Sequence, residues 1–219
     1  KATSKRAQKS LKDFVGSHSN QWVMMHTRFA TQGSVKVNEN NHPVVRDEIV
    51  LTHNGCIYDD WDVFDHFGVD RYYQVDTEAL IVALRYGGVE WMAENVQGSF
   101  SIAWVDCTKS TEEVNLFTNG LNPLVIGRTK SGHVVWASAL KNLKGYDLES
   151  HFNASPFKHY RICADGMIRS EWVSDERCEP TVAGVWKGAS SGALAPQTPK
   201  TSKKASKGPS TPSHGDISA

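Results

Sequence analysis

The sequence predicts an α+β fold, because a helical segment near its middle is followed by a long series of short strands. Residues 77–85 (TEALIVALR) place Leu80, Ile81 and Leu84 at helical spacing, and two glycines end this pattern at 87–88. From residue 98 onward the pattern changes to the alternation of small polar and large apolar residues that is typical of strands. Strands that follow helices in a block favour layered sheets with the helices set apart from them.

The elements before residue 77 are predicted from short apolar runs and their flanking residues. Apolar runs at 22–25 (WVMM) and 49–52 (IVLT) indicate buried strands. Two acidic residues precede an apolar pattern at 61–67, as at the beginning of a helix. The expected elements are a helix at 7–15, a strand at 22–29, a loop at 32–41, a strand at 49–52 and a helix at 59–67.

The second half is predicted to consist mostly of strands. Asn119-Gly120 and Ser131-Gly132 separate three of them, and a hairpin is expected about Asp165-Gly166. The expected elements are a helical turn at 90–96, strands at 98–105, 114–118, 123–128 and 133–138, a helical turn at 140–143, and strands at 159–164 and 167–173.

Composition divides the 219 residues into three parts: a basic segment at 1–20, a globular domain at 21–183 and a tail at 184–219. Residues 1–12 carry five basic residues and no acid, while the tail is rich in Ser, Pro, Lys and Gly and is expected to be disordered. Net charge is zero, so the body between the basic ends is acidic, which argues against a nucleic-acid-binding face on the core. No apolar run is long enough to span a membrane.

Four short polar motifs follow one another along the first half of the chain. They are HTRFATQG at 26–33, NNHP at 40–43, HNG at 53–55 and DTE at 76–78. In this order and at these spacings they resemble the class II glutamine amidotransferases, which are N-terminal-nucleophile (Ntn) hydrolases. The resemblance implies an α+β Ntn-hydrolase-like fold, a four-layer αββα sandwich. Gln32 stands where many members of the family have His.

The resemblance extends over residues 22–173 and weakens in the second half. Residues 98–101 (GSFS) fit the family's G-x-F strand. The segment 117–124 keeps Pro123-Leu124 but lacks the preceding Arg-Asp, and Ala139 replaces the Glu of an Ala-Ser-Glu motif. These departures indicate a divergent member.

The resemblance implies that two residues of opposite charge bind the glutamine zwitterion. Arg28 would pair with the α-carboxylate through its planar fork, and Asp76 would accept from the α-ammonium group. Thr31 would hydrogen-bond the substrate or support Arg28.

An oxyanion hole is implied at the third motif. The Asn54 side-chain amide and the Gly55 backbone N–H would stabilise the tetrahedral intermediate, and glycine allows a close approach of its N–H. His42 and His53 are expected to support the loops around the site.

The nucleophile of the family is a Cys at the first position of the mature chain, with its own α-amino group as the base. This sequence begins with Lys1, and Cys56 is an internal residue that we interpret as a small packed side chain. We expect that the segment with the Cys and the first strand is missing from this sequence. A degenerate homologue is the alternative.

Three functions remain open at this stage. The first is a glutaminase domain that forms glutamate and ammonia through a thioester and passes the ammonia to a separate acceptor synthetase. The second is an inactive Ntn-fold binding module, and the third is an Ntn hydrolase that acts on another amide. No cofactor or metal is expected, the partner molecules are glutamine and the acceptor enzyme, and the four cysteines without a C-x-x-C pair indicate a reducing, cytoplasmic location.

Overall fold

The structure is a computed structural model that describes residues 22–173. These residues belong to one compact unit of the chain. The predicted helix at 7–15 and the predicted tail at 184–219 lie outside the described residues. The predicted domain boundaries therefore stay predictions.

A six-stranded antiparallel sheet forms the larger of two sheets, with the strand order β1-β2-β3-β4-β8-β9. Strands β2 and β3 are the longest and pair along their whole length, from Ile49 opposite Asp106 to Ile57 opposite Gly98. The strands of this sheet are β1 (Val44–Arg46), β2 (Ile49–Ile57), β3 (Gly98–Asp106), β4 (Glu113–Thr118), β8 (Lys158–Cys163) and β9 (Ile168–Trp172).

A three-stranded antiparallel sheet with the order β6-β5-β7 packs against the larger one. Its strands are β5 (Val125–Thr129), β6 (Val134–Ala137) and β7 (Leu148–Asn153). One buried hydrophobic cluster contains side chains from both sheets, which shows that the sheets share a core. Its buried members are Ala103, Val114, Leu116, Leu124, Ile126, Ala154, Tyr160 and Ile162.

The α-helices come from the segment between β2 and β3. They are α1 (Asp60–Phe67), α2 (Thr77–Val82) and α3 (Gly88–Asn95), and a π-helical turn at Ala83–Gly87 joins the last two. Every residue of α2 is buried, including Thr77 and Glu78. Helix α2 contacts β1 and β2, so it lies against the part of the larger sheet that carries the HNG motif.

The predicted α+β class is confirmed, and most predicted strands and helices are present within a few residues of their expected bounds. Strand β7 at Leu148–Asn153 was not predicted, because five of its six residues are exposed and its pattern lacks the alternation of a half-buried strand. The Asn119-Gly120 turn does not form a hairpin, since β4 and β5 belong to different sheets.

Two predictions near the site were wrong. Residues 22–29 form no strand, because their apolar residues Trp22 and Met24 pack against the core between the sheets without pairing to any described strand. The strand predicted at 49–52 was expected to end before the HNG motif, but β2 continues to Ile57 and contains the motif. An apolar run indicates burial, but it does not indicate which backbone groups supply the hydrogen bonds of a strand.

No helix within residues 22–173 is both long and apolar enough to cross a membrane.

Candidate active site

Gly55 occupies a position on β2 that a larger residue cannot fill. Its φ of +150° is rare for residues with a side chain, and a Cβ there would overlap the Ser99 carbonyl oxygen on β3. The same Cβ would lie 2.7 Å from His53 Nε2. Glycine is therefore required by both the backbone conformation and the close approach of β3.

The backbone N–H of Gly55 points away from β3. Gly55 lies opposite Phe100 in the antiparallel register, and Phe100 directs both its N–H and its C=O to Asn119, on the β4 side. The Gly55–Phe100 pair is therefore a non-hydrogen-bonded pair, so the polar groups of Gly55 face the opposite edge of β2. Strand β1 pairs with β2 only from Ile49 to Leu51 and does not reach this point.

Asp76 lies on that same side of β2. Its Oδ2 accepts from the N–H of Ile57 at 2.9 Å, two residues beyond Gly55, and its Oδ1 accepts from the N–H of Thr77 at 3.0 Å at the beginning of α2. The carboxylate is buried, and Asp76 directly precedes helix α2, whose beginning the sequence predicts at residue 77. At this point no strand among residues 22–173 pairs with that edge of β2, and the free edge so defined presents the Gly55 N–H and the buried Asp76 carboxylate side by side.

Three histidines form a cluster next to Asp76. The ring centroids of His26 and His42 are 4.4 Å apart, and those of His42 and His53 are 6.4 Å apart. Nε2 of His42 lies 2.9 Å and Nδ1 of His53 lies 3.2 Å from the same atom, the hydroxyl oxygen of Thr77. His42 and His53 therefore share one hydrogen-bond partner, Thr77, which is the middle residue of the DTE motif.

Burial keeps this histidine cluster uncharged. It lowers the pKa of His42 to about 3. The proximity of His26, His53 and Arg28 acts in the same direction, because a positive charge on any of them repels a proton on His42. The pKa values of His26 and His53 are also lowered, mainly by burial, although the negative charge of Asp76 opposes the effect at His53. Neutral imidazoles can both accept and donate, so the direction of each hydrogen bond depends on its partners.

Arg28 borders the cluster from the segment before β1. Its Nη2 donates to the carbonyl oxygens of Gln32 and Gly33, which holds the guanidinium against its own loop. Its Nη1 is buried and has no hydrogen-bond partner within residues 22–173. One side of the fork is therefore fixed by the protein, while the other retains donors without an acceptor.

The loop with Arg28 is attached to the loop that leads to Asp76. The Asn40 side chain exchanges two hydrogen bonds with Gln74, donating to its Oε1 at 3.0 Å and accepting from its backbone N–H at 3.0 Å. Gln74 Oε1 also accepts from the Ser34 N–H, and Arg71 donates to the Gln32 side chain at 3.3 Å. These contacts join the loop of the HTRFATQG motif and Asn40 of the NNHP motif to the loop that leads to the DTE motif.

The structure does not bring all the predicted site residues into contact. Thr31 is exposed and makes no hydrogen bond to Arg28 or to any other of residues 22–173. The Asn54 side chain is half-buried, and its amide also lacks a hydrogen-bond partner among the described residues. It is thus available to a ligand.

Cys56 lacks the character of a reactive thiol. Burial raises its pKa, and the negative charge of Asp76, a hydrogen bond to that carboxylate and the charge of Asp60 raise it further. A thiol with a raised pKa is a poor nucleophile at neutral pH. Among residues 22–173 there is no group of three or more His, Cys, Asp or Glu side chains placed to hold a metal ion.

A family model described as a glutamine amidotransferase domain matches residues 26–145. This range is more than half of the chain and contains all seven predicted site residues. The chain belongs to the glutamine amidotransferase domain family. The predicted resemblance to class II glutamine amidotransferases is thereby confirmed, although a comparison with curated protein sequences gives no match.

Two solved structures show the same fold. Glutamine phosphoribosylpyrophosphate amidotransferase from B. subtilis, in complex with ADP and GMP, is 21% identical over 68% of this chain with a TM-score of 0.55. An allosteric regulatory enzyme of purine biosynthesis is 20% identical over 63% of this chain with a TM-score of 0.52. The matches cover 34% and 32% of those chains, so this chain spans about a third of their length. They confirm the Ntn-hydrolase-like fold.

Proposed function

We propose that this domain hydrolyses the side-chain amide of glutamine to glutamate and ammonia at the free edge of β2. The observation that carries the proposal is the Gly55 N–H, which points to that edge next to Asp76. A backbone N–H held in a rigid strand can stabilise a developing oxyanion without reorganising, and one such donor contributes about 10²–10³ in rate. The unpartnered amide of Asn54 is the second donor.

Arg28 and Asp76 bind the ends of the glutamine zwitterion. The free Nη1 of Arg28 donates to the α-carboxylate, and Asp76 accepts from the α-ammonium group with the lone pairs that its two backbone bonds leave unused. Both residues border the histidine cluster, which supports their common position at one site. We also assign Thr31, an exposed residue of the loop that follows Arg28, to the substrate contacts.

We assign the attacking thiol to an N-terminal Cys rather than to Cys56, and the reaction proceeds through a thioester. Its own α-amino group has a pKa of about 8, which suits a general base near neutral pH. The raised pKa of Cys56 supports this assignment, because that thiol stays protonated and has no free amine beside it. The ammonia passes to a separate acceptor enzyme, and we place both proteins in the cytoplasm.

The other two functions remain as alternatives. In an inactive binding module the same residues would hold glutamine without turnover. In an Ntn hydrolase for another amide, the oxyanion hole would be kept, while Arg28 and Asp76 would lose their importance. The charge pair is therefore the feature that separates these possibilities.

The test compares conservative variants of that pair in glutamate-release assays on protein that carries the upstream Cys. Arg28→Lys keeps the charge but loses the fork, and Asp76→Asn keeps the shape but loses the charge. Each is expected to lower kcat/KM for glutamine about 100-fold or more, which corresponds to roughly 2.7 kcal/mol of transition-state binding. Lys36→Met, on the same loop but exposed, is the matched control and should leave kcat/KM unchanged. If Asp76→Asn retains the wild-type kcat/KM, the role assigned to Asp76 is wrong.

A further inference from the structure

The hydroxyl of Thr77 connects three parts of the site that are distant in sequence. His42 belongs to the segment before β1, His53 lies on β2, and Thr77 is the first residue of α2. Both imidazoles hydrogen-bond the same oxygen, at 2.9 and 3.2 Å, and the Thr77 side chain is almost fully buried. No other side chain among the described residues hydrogen-bonds this hydroxyl.

The Ser99 carbonyl oxygen determines the direction of the hydrogen bonds that link it through His53 to Thr77 and His42. Nε2 of His53 lies 3.4 Å from the Ser99 carbonyl oxygen, which can only accept, so Nε2 carries the proton. Nδ1 of the neutral ring is then an acceptor, and the Thr77 hydroxyl must donate to it. The Thr77 oxygen in turn accepts from Nε2–H of His42.

This hydrogen-bond chain ends beside the oxyanion hole. The Ser99 carbonyl that accepts from His53 is the group that a Cβ at Gly55 would overlap, so it lies directly against the Gly55 backbone. Thr77 also follows Asp76, whose carboxylate holds the N–H of Ile57 on the same strand. A displacement of Thr77 would therefore change the positions of both the Gly55 N–H and the Asp76 carboxylate.

We propose that Thr77 is a positioning residue: its hydroxyl, relayed through His53 to the Ser99 carbonyl, fixes the Gly55 backbone in the orientation that an oxyanion requires. This proposal rests on the proposed function for its catalytic consequence, but not for its hydrogen-bond directions. Burial lowers the pKa of His53, which supports the proposal because a neutral ring keeps Nδ1 as an acceptor. His42 fixes the other lone pair of the Thr77 oxygen and so leaves its proton for His53.

The hydrogen-bond directions are tested by NMR on the full 219-residue chain at pH 7, with ¹H–¹⁵N correlations that show which ring nitrogen carries the proton. We expect His42 and His53 to be neutral and protonated at Nε2 in the wild type and in Thr77→Ser, which keeps the hydroxyl. In Thr77→Val, which has the same shape but no hydroxyl, the ring-nitrogen signals of both histidines should shift. A purely packing role would leave those signals unchanged.

A proton on Nδ1 of His53 in the wild type would overturn the proposal. This measurement uses the wild-type protein alone, so it does not depend on whether any variant folds. Unchanged ring signals in a folded Thr77→Val protein would overturn it as well.

The catalytic consequence is measured separately, by glutamate release from the protein with the upstream Cys. Thr77→Val should lower kcat about tenfold or more with little change in KM, while Thr77→Ser remains within about threefold of wild type. Wild-type kcat in Thr77→Val would refute the positioning role. Absence of glutamine hydrolysis in the wild type itself would instead refute the proposed function and leave the NMR result to decide the hydrogen-bond directions.

Discussion

At the scale of single residues, Gly55 has both an unusual backbone geometry and a proposed role as an oxyanion donor. Its positive φ and the nearby Ser99 carbonyl make the site intolerant of any side chain, and its N–H faces the free edge of β2. A glycine that only forms a turn is required by its positive φ alone, whereas Gly55 is required by the close Ser99 carbonyl oxygen as well.

Gly55→Ala should both destabilise the fold and abolish activity. The positive φ alone costs about 1–2 kcal/mol with a Cβ, and the overlap with the Ser99 carbonyl adds to it by separating β2 from β3. The matched control is Gly132→Ala, where φ is +88° but no atom lies within 4 Å of the new Cβ. In urea denaturation, Gly55→Ala should lower the free energy of unfolding at least twice as much as the control does. Equal losses would mean that β3 does not confine this position.

His42 makes the stability of the domain depend on pH. Its pKa is about 3 in the folded protein and about 6.5 when unfolded, so the unfolded chain binds more protons between these values. The contribution of His42 to the free energy of unfolding is therefore fully present above pH 6.5. It decreases as the pH falls toward 3, by about 1.4 kcal/mol per pH unit.

His42→Gln should reduce this dependence, because glutamine does not titrate. From pH 7 to pH 5 the variant should lose about 2 kcal/mol less unfolding free energy than the wild type, as measured by urea denaturation at both pH values. The remaining slope belongs to groups such as His26 and His53, whose pKa values are also lowered. His151→Gln, at an exposed position on β7, serves as the control. A slope identical to wild type in His42→Gln would show that His42 is not buried in the neutral form.

The sequence was sufficient to identify Arg28, Asn54, Gly55 and Asp76 as candidates, because their motifs follow one another in a distinctive order. It was not sufficient to identify Thr77, since a Thr at the beginning of a helix is common and its two histidine partners are 24 and 35 positions away. The contacts that join the two site loops, such as Asn40 with Gln74, were missed for the same reason.

At the scale of elements, the segment between α1 and α2 is held in place by a buried ion pair. Arg46 on β1 donates to Glu78 on α2 at 2.6 Å, and Glu78 also accepts from the N–H groups of Tyr72 and Tyr73. The Arg46 guanidinium lies 4.1 Å from the centre of the Tyr72 ring. One carboxylate therefore connects β1, α2 and the loop that leads to Asp76.

Removing one partner of this pair should be costly. Arg46→Met leaves the Glu78 carboxylate buried without its cation, which typically costs about 3–5 kcal/mol. The control is Arg161→Met, because Arg161 is 37% exposed and its pairing with Glu171 should contribute about 1 kcal/mol or less. Chemical denaturation measures both. If Arg46→Met costs no more than Arg161→Met, the buried pair does not hold the loop.

The types of the elements followed from periodicity, but their arrangement did not. The alternation in β3 and the helical spacing in α2 are local properties of the sequence, so both elements were predicted. Segment 22–29 has the same apolar character as a strand, yet it packs without a ladder partner among the described residues. Whether an apolar segment forms a strand depends on the strands beside it, which local patterns do not contain.

At the scale of the whole molecule, the proposed function assigns the substrate-binding and oxyanion groups to this domain and the nucleophile to an N-terminal Cys. The chain spans about a third of the length of the two solved enzymes that it matches. The acceptor of ammonia is likewise assigned to a separate protein.

The most direct measurement of this assignment is glutamate release from glutamine by four proteins: the 219-residue chain, the chain extended upstream to a mature N-terminal Cys, that extended chain with its N-terminal Cys changed to Ala, and the extended chain with Cys56→Ala. We expect turnover only in the extended chain and in its Cys56→Ala variant, because only these combine a thiol with an adjacent free amine and the oxyanion donors Asn54 and Gly55. Turnover by the 219-residue chain that disappears on Cys56→Ala would contradict both the assigned nucleophile and the proposed mechanism.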